Sequence, residues 1–123
     1  MIQDRSLVVI ADNSGAKIGR IFKVLGSSKK RYARIGDLVV LSVQTAEPRK
    51  AVKKKEVLTA VVVRQKKPLR RKDGSYVRFD ENAVVILEKG KKEPKAGRIF
   101  GPIPRELAEL GYQTIISRAP EVV

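Results

Sequence analysis

Five short apolar segments rich in β-branched residues constrain the fold of this chain more than any other feature. Turn-forming residues separate these segments, which cover 6–11, 17–26, 38–46, 57–64 and 83–88. Each segment is too short and too β-branched for a helical period. Five strands with turns between them predict an all-β fold built as a small closed five-stranded barrel, with a sandwich as the alternative.

The length of the chain indicates one domain. Its 123 residues suffice for a single hydrophobic core. We therefore treat residues 1–123 as one β-barrel domain, with a projecting two-stranded ribbon at about 66–80 and a short C-terminal helix at about 102–111. In that helix, Pro104 suits the first helical position and Gly111 suits the residue after the last turn. Residues 112–120 are predicted to form a weaker sixth strand.

The chain carries a large positive charge. It has 27 Lys and Arg residues against 13 Asp and Glu residues, which gives a net charge of +14. Self-repulsion of this size favours a polyanionic partner, which is nucleic acid or, less often, an acidic membrane surface. The apolar runs are far shorter than the roughly 20 residues of a spanning helix, so we expect no membrane contact. The N-terminus does not resemble a signal peptide, so we expect a protein that is not exported.

Cysteine and histidine are both absent from the sequence. Without them there are no disulfides, thiolate nucleophiles, Cys-ligated zinc or Ser–His and Cys–His pairs. We therefore expect no cofactor and no metal. An enzyme would have to use lysine or acids such as Asp12, Asp37 and Asp80, and turn or strand-end positions already account for those acids. We predict that the chain is not an enzyme.

Residues 64–79, RQKKPLRRKDGSYVRF, predict a hairpin covered with positive charge. The Asp73-Gly74 pair is the strongest short-range signal for a two-residue turn. Such a turn pairs Arg71 with Tyr76 and leaves neither face of the ribbon apolar. We therefore expect the ribbon to project into solvent, where Arg71 and Tyr76 can stack on each other and on RNA.

Three further loops are basic, so we expect positive charge on several sides of the barrel. They cover residues 27–37, 47–56 and 89–98. Loops that contact phosphates fit folded RNA, because shape and backbone dominate its recognition. The predicted RNA-binding residues are Lys29, Lys30, Arg31, Tyr32, Arg49, Lys50, Lys53, Lys54, Lys55, Lys66, Lys67, Arg70, Arg71, Lys72, Tyr76 and Arg78.

The alternative function is a free module of the OB or cold-shock type, which binds single-stranded RNA on aromatic side chains. The chain has three Tyr and three Phe residues. Phe22 and Phe100 are predicted to pack against the core. The aromatic residues that remain for stacking are Tyr32, Tyr76, Phe79 and Tyr112, which is a small number for a stacking platform.

Residues 60–86 resemble the central signature of the large-subunit ribosomal protein L-fourteen family in its bacterial-type form. The matching residues are Ala60, Val61 to Val63, Asp73-Gly74, Phe79, Asn82 and Val85-Ile86. Other matching segments are ADNSGA at 11–16, KVLG at 23–26, RYA around Tyr32, GD at 36–37, RIFGP at 98–102, REL at 105–107 and APEV at 119–122. The resemblance covers the whole chain.

This resemblance implies a five-stranded barrel with a projecting ribbon, and a structural role in the large ribosomal subunit. It implies binding to large-subunit rRNA near the subunit interface and a bridge to small-subunit rRNA. The implied protein partners are ribosomal proteins L-nineteen and L-three and a ribosome-silencing factor. By the same resemblance, Arg98, Phe100 and Arg105 form a protein-docking surface. The implied location is the ribosome, in the cytoplasm or in a plastid.

The chain departs from the family pattern in three places. The loops at 47–56 and 89–98 are more basic than in typical members, and Thr114 stands where many members carry Lys. The last two departures concern the details of protein docking rather than the rRNA role.

Overall fold

The computed structural model describes residues 2–3, 5–26, 32–48, 52–88 and 91–123. In chain order its elements are β1 (Ile2–Gln3), β2 (Leu7–Ile10), β3 (Ala16–Val24), β4 (Tyr32–Ala33), β5 (Leu38–Ala46), β6 (Val57–Arg64), β7 (Leu69–Arg70), β8 (Tyr76–Val77), β9 (Ala83–Ile86), β10 (Pro102–Ile103), α1 (Glu106–Glu109), α2 (Gln113–Arg118) and β11 (Glu121–Val122). Each of the five apolar segments contains one strand of a closed barrel, which confirms the predicted fold class.

The barrel runs in the order β2-β3-β5-β6-β9 and closes on itself. Consecutive neighbours are antiparallel, and the closing pair, β2 with β9, is parallel. Closure leaves these five strands without exposed edges. The strands β7 and β8 form a separate two-stranded ribbon between β6 and β9, as predicted.

The continuous apolar runs in β6 and β9 are covered on both faces. Val61, Val62 and Val63 are fully buried on successive positions, so side chains pointing both ways are protected from water. The C-terminal elements contribute to the same core through Ile103 and Leu107. A short antiparallel strand with one wet face would instead alternate apolar and polar residues.

Strict alternation of side chains along the strand describes the faces of β3 only in part. The sequence places Phe22 and Val24 on one face, but a register shift between Ile21 and Lys23 inserts an extra residue opposite β5. Val24 therefore turns into the barrel, whereas Phe22 points outward and is 50% exposed. The predictions that Phe22 and Phe100 are packing residues were wrong, because Phe100 is also 46% exposed.

The C-terminal region contains two short helices where one helix and a strand were predicted. Helix α1 begins at Glu106, later than predicted, and residues 102–103 belong to β10 instead. Gly111 lies two residues after the end of α1 and has a φ of 95°. Residues 113–118 form α2 rather than a sixth strand. Tyr112, at the N-cap of α2, and Ile115, within the helix, are both buried, and this burial outweighs the β preference of the Ile-Ile pair.

The loop after β2 ties the barrel together through a buried carboxylate. Asp12 accepts hydrogen bonds from the Ser14 N–H at 3.1 Å, the Ser14 hydroxyl at 2.6 Å and the Ile86 N–H at 3.0 Å. Burial raises the pKa of Asp12, and these hydrogen bonds oppose the rise. Asn13 exchanges two 3.1 Å hydrogen bonds with the backbone of Arg98. The polar residues of this loop therefore serve the fold.

Substitution of a core leucine tests the barrel interior. Leu41 is fully buried, and a Cβ on Gly19 would lie only 2.9 Å from its Cδ1, so Leu41 occupies a closely packed site. We expect Leu41→Ala to lower the free energy of unfolding by about 2–5 kcal/mol, measured by urea denaturation. The control is Leu7→Ala, at a side chain that is 55% exposed, which should cost about 0.5 kcal/mol or less. Equal losses in the two variants would contradict the assigned burial.

Candidate nucleic-acid interface

The ribbon has a different register from the one predicted. Leu69 pairs with Val77 and Arg70 with Tyr76, which places Arg71 opposite Ser75 and leaves a loop of three residues, 72–74, rather than two. The Arg71 N–H donates to the Ser75 carbonyl at 2.9 Å, and Gly74 has a φ of 89°. A turn closed by a residue with positive φ is typical of three-residue hairpin loops. The one-residue shift exchanges the faces on which the ribbon side chains lie.

The inner face of the ribbon is fixed to the protein body. Leu69 and Val77 pack against the hydrophobic core. Arg71 donates from Nε to Glu106 Oε1 at 2.6 Å and from Nη2 to Oε2 at 3.3 Å, and it also donates to the carbonyl of Val123. The ribbon therefore has an apolar face after all, and its Arg71 is paired within the protein.

The charge pairs at this junction stabilise the ionised form of its carboxylate. Burial raises the pKa of Glu106, but the hydrogen bonds from Arg71 and from its own backbone, with the charges of Arg71 and Arg105, outweigh burial and leave the pKa lowered. The pKa of Asp73, in the ribbon loop, is also lowered, first by hydrogen bonds from Ser75 and then by Arg105 and Arg71.

The outer face of the ribbon is exposed and basic. Arg70 and Tyr76 are cross-strand partners, so their side chains lie beside each other on this face. Tyr76 is 64% exposed. Lys72 and Arg78 are exposed on either side of this pair along the chain. The structure thus places four of the predicted RNA-binding side chains of the ribbon in solvent.

Exposed lysines at the base of the ribbon stand on an ordered backbone. The buried Gln65 side chain accepts from the Ile35 N–H at 3.2 Å and donates to the Lys67 carbonyl at 2.9 Å. The Lys66 N–H donates to the Asn82 side chain at 2.9 Å. These hydrogen bonds hold the backbone while the lysine side chains stay exposed.

The loop between β5 and β6 presents a second exposed basic group, formed by Lys53, Lys54 and Lys55. The Lys53 N–H donates to Glu56 Oε2 at 3.0 Å, and the Lys55 N–H donates to the Val43 carbonyl at 2.7 Å. Lys55 has a φ of 69°, which closes the turn. The three lysines are therefore held in a tight, ordered turn.

The two basic groups do not form one cluster. The 53–55 loop precedes β6 and the ribbon follows it, so the length of an eight-residue strand separates them, roughly 23 Å at 3.3 Å per residue. Tyr32 is exposed on β4. The remaining predicted RNA-binding residues lie outside the described part of the chain, and they are Lys29, Lys30, Arg31, Arg49 and Lys50.

The predicted protein-docking residues fall into two places. Arg98 lies over the half-exposed ring of Phe100, with its guanidinium carbon 5.6 Å from the ring centroid. Arg105 instead lies beside the ribbon, where it lines a cleft of about 360 Å³ together with Arg70, Lys72 and Glu106. The structure therefore brings Arg105 next to the basic ribbon.

A buried arginine positions the segment that carries Phe100. Arg64 donates from Nη1 to the carbonyls of Phe100 at 3.0 Å and Pro102 at 3.4 Å, and its Nη2 lies 3.0 Å from Glu81. Burial lowers the pKa of Arg64, and the charge of Glu81 opposes this. Gly101 has a φ of 78°, and a Cβ there would overlap the Arg64 guanidinium.

Sequence reasoning missed the structural roles of Arg64, Arg71 and Glu106. Charged residues beside basic loops are normally read as solvated or RNA-facing. The hydrogen bonds from Arg64 to Phe100 and from Arg71 to Glu106 span 36 and 35 positions of the chain. Arg64 carries a usable signal, because it directly continues the fully buried run Val61 to Val63. No sequence signal identifies the pairing of Arg71 with Glu106.

The acids considered for catalysis have structural surroundings. Asp12 is bound as described above, and Asp37 Oδ2 accepts from the Arg34 N–H at 2.8 Å. Asp80 is exposed at the end of the ribbon. Within the described ranges, no three His, Cys, Asp or Glu residues are grouped so that they could hold a metal ion. None of the helices in the same ranges is long and apolar enough to span a membrane.

The Arg71–Glu106 pair predicts a pH-dependent contribution to stability. The pKa of Glu106 is lowered in the folded protein from its ordinary value of 4.5. The ionised carboxylate therefore adds its full contribution to the free energy of unfolding above pH 4.5, and this contribution is lost as pH falls through the lower pKa of the folded state. We expect Glu106→Gln to lower the free energy of unfolding by about 1 kcal/mol at pH 7. The deficit should shrink as pH falls below 4.5.

Chemical denaturation at several pH values measures this effect. The matched control is Glu109→Gln, which removes an exposed acid from the same helix. If both variants show the same dependence on pH, the ion pair does not stabilise the junction of ribbon and helix.

The chain matches the family described as ribosomal protein L14p/L23e over residues 1–123. The match includes the barrel, the ribbon and both C-terminal helices. Members of this family are structural proteins of the large ribosomal subunit, not enzymes. The chain therefore belongs to the ribosomal protein L14p/L23e family, as its sequence motifs predicted.

Proposed function

We propose that this member of the family binds large-subunit rRNA near the subunit interface and helps to form a bridge to small-subunit rRNA. The observation that carries the proposal is the placement of exposed cations on ordered backbone at both ends of β6. Lysines at 53–55 stand at one end, and Arg70, Lys72 and Arg78 stand on the ribbon at the other. The family resemblance supports the position in the subunit.

The mechanism of this binding is electrostatic and geometric. The closed barrel acts as a rigid spacer that sets the distance between the two basic groups. Folded rRNA brings phosphates of distant segments close together, and the two groups neutralise phosphates on different segments. Each neutralised phosphate releases condensed counterions, which makes the affinity depend strongly on salt concentration. Arg71 contributes indirectly, because it holds the ribbon in place through Glu106.

The protein contacts belong to the C-terminal surface in this proposal. Arg98 and Phe100 form an exposed pair, and Arg105 lies at the cleft beside the ribbon. The family resemblance supports ribosomal proteins L-nineteen and L-three and a ribosome-silencing factor as the partners. Arg105 lies at the boundary between the protein-binding and RNA-binding surfaces in this proposal, because it lines the same cleft as Arg70 and Lys72.

Removal of the exposed ribbon cations tests the rRNA contact. The triple variant Arg70→Ser, Lys72→Ser and Arg78→Ser should bind transcribed large-subunit rRNA more weakly. The slope of log affinity against log salt should fall by about 2–3 in magnitude, since each lost phosphate contact contributes roughly 0.7–0.9. Filter binding across a salt series measures both quantities.

The control variant removes the same charge from the barrel wall. Lys17→Ser, Arg20→Ser and Lys23→Ser change three exposed cations of β3. Equal losses in the two triple variants would mean that net charge alone sets the affinity, and the ribbon would lose its assigned role.

Assembly into the subunit is tested separately in cells. A lysate is sedimented on a sucrose gradient after a high-salt wash, and the protein is located by mass spectrometry. Co-migration with the large subunit is the expected result. Recovery only at the top of the gradient would contradict a stable place in the ribosome and would favour a free RNA-binding module.

A further inference from the structure

The ribbon carries an aromatic ring that the fold does not use. Tyr76 is 64% exposed, the largest exposed fraction among the large apolar side chains of the described residues. In the same part of the chain, the cation–π contacts are Lys92 with Tyr112 and Arg98 with Phe100, and neither involves Tyr76. Much of the Tyr76 side chain is therefore accessible to a partner.

The register of the ribbon places an arginine beside this ring. The Arg71 N–H bonds the Ser75 carbonyl, so positions 71 and 75 form a hydrogen-bonded pair. The adjacent pair, Arg70 with Tyr76, is then of the non-hydrogen-bonded type, in which side chains approach most closely. The ring of Tyr76 and the planar guanidinium of Arg70 thus share one small exposed area.

This area is held in position from behind. On the opposite face of the ribbon, Leu69 and Val77 pack against the hydrophobic core. Two hydrogen bonds from Arg71 to the Glu106 carboxylate hold the same face in place. An isolated two-stranded ribbon would be marginally stable in water. Because this one is braced, little conformational entropy remains to be lost when its outer face binds a ligand.

We propose that Tyr76, with Arg70 beside it, is a stacking site for an unpaired nucleotide of the rRNA. This inference rests on the proposed rRNA function and specifies how one part of that site works. An unpaired base offers a π-face that stacks on tyrosine, and its flanking phosphates are attracted by Arg70 and Arg78. Paired bases within a helix do not expose such a face, so the ribbon selects a bulge, loop or junction.

Charge complementarity favours RNA over a protein as the occupant. The described part of the ribbon exposes three cations near Tyr76, namely Arg70, Lys72 and Arg78, against one acid of the loop, Asp73. The acids Glu106 and Glu109 lie in the cleft that Arg70 also lines. Two guanidinium groups that flank one ring match a base with its phosphates. An apolar protein surface would leave these charges without partners.

Substitutions at Tyr76 separate stacking from other contacts. Tyr76→Ala and Tyr76→Leu should each weaken binding to transcribed large-subunit rRNA about tenfold or more, whereas Tyr76→Phe should bind like the natural protein. The salt slope should stay unchanged in all three variants, since no cation is removed. Leucine preserves apolar bulk but has no π-face, so a Leu variant that binds normally would overturn the proposal.

A fluorescence measurement reports on the ring directly. The chain contains no Trp, so Tyr76→Trp introduces a single indole at the proposed site. Addition of rRNA should quench this fluorescence through stacking. The matched control is Phe22→Trp, on the outer wall of the barrel, where Phe22 is exposed to a similar degree and no stacking is proposed; its fluorescence should change little.

The possible failures are distinguishable. If the natural protein binds rRNA with a steep salt dependence but the indole of the Tyr76→Trp variant is not quenched, the stacking site is wrong and the proposed function stands. If the fluorescence of that indole changes only when ribosomal proteins are added, the occupant is a protein and the inference is overturned. If the natural protein does not bind rRNA, both proposals fail.

Discussion

Closure of the barrel by the parallel pair of β2 with β9 is the constraint on which the rest of the structure depends. Four antiparallel contacts follow from chain order, but the fifth joins residues more than seventy positions apart. The buried carboxylate of Asp12 secures this joint, because it accepts the Ile86 N–H that the strand pairing leaves available. The same loop binds the Arg98 backbone through Asn13. One turn thus fixes both the barrel seam and the C-terminal segment.

A closed barrel has two ends, and the basic groups use both of them. The loop at 53–55 lies just before β6 begins, and the ribbon follows the end of β6. Their separation is therefore set by a strand rather than by flexible chain. Their backbones are bound internally, through Glu56 in one case and through Gln65 and Asn82 in the other. Exposed charge on a fixed frame favours a partner whose phosphates are themselves fixed, as in folded RNA.

The positions of the five barrel strands could be predicted from the sequence, because each is an apolar β-branched run between turn residues. The bulge in β3 and the three-residue ribbon loop could not, since a one-residue change in register leaves the composition of a segment unchanged. Helix α2 was missed because tertiary burial of Ile115 overrode local β preference. The family motifs identified the chain, but no motif separated Arg71, paired inside the protein, from the exposed Arg70.

The brace between Arg71 and Glu106 also imposes an order in time. Its two residues are 35 positions apart, so the ribbon emerges during synthesis well before its anchoring carboxylate. Until helix α1 has formed, the hairpin has only its own few hydrogen bonds and the packing of Leu69 and Val77. The ion pair that fixes the ribbon from behind can therefore form only once Glu106 of α1 is available. A nascent chain therefore exposes the charge of the ribbon before the contact that fixes its geometry can form.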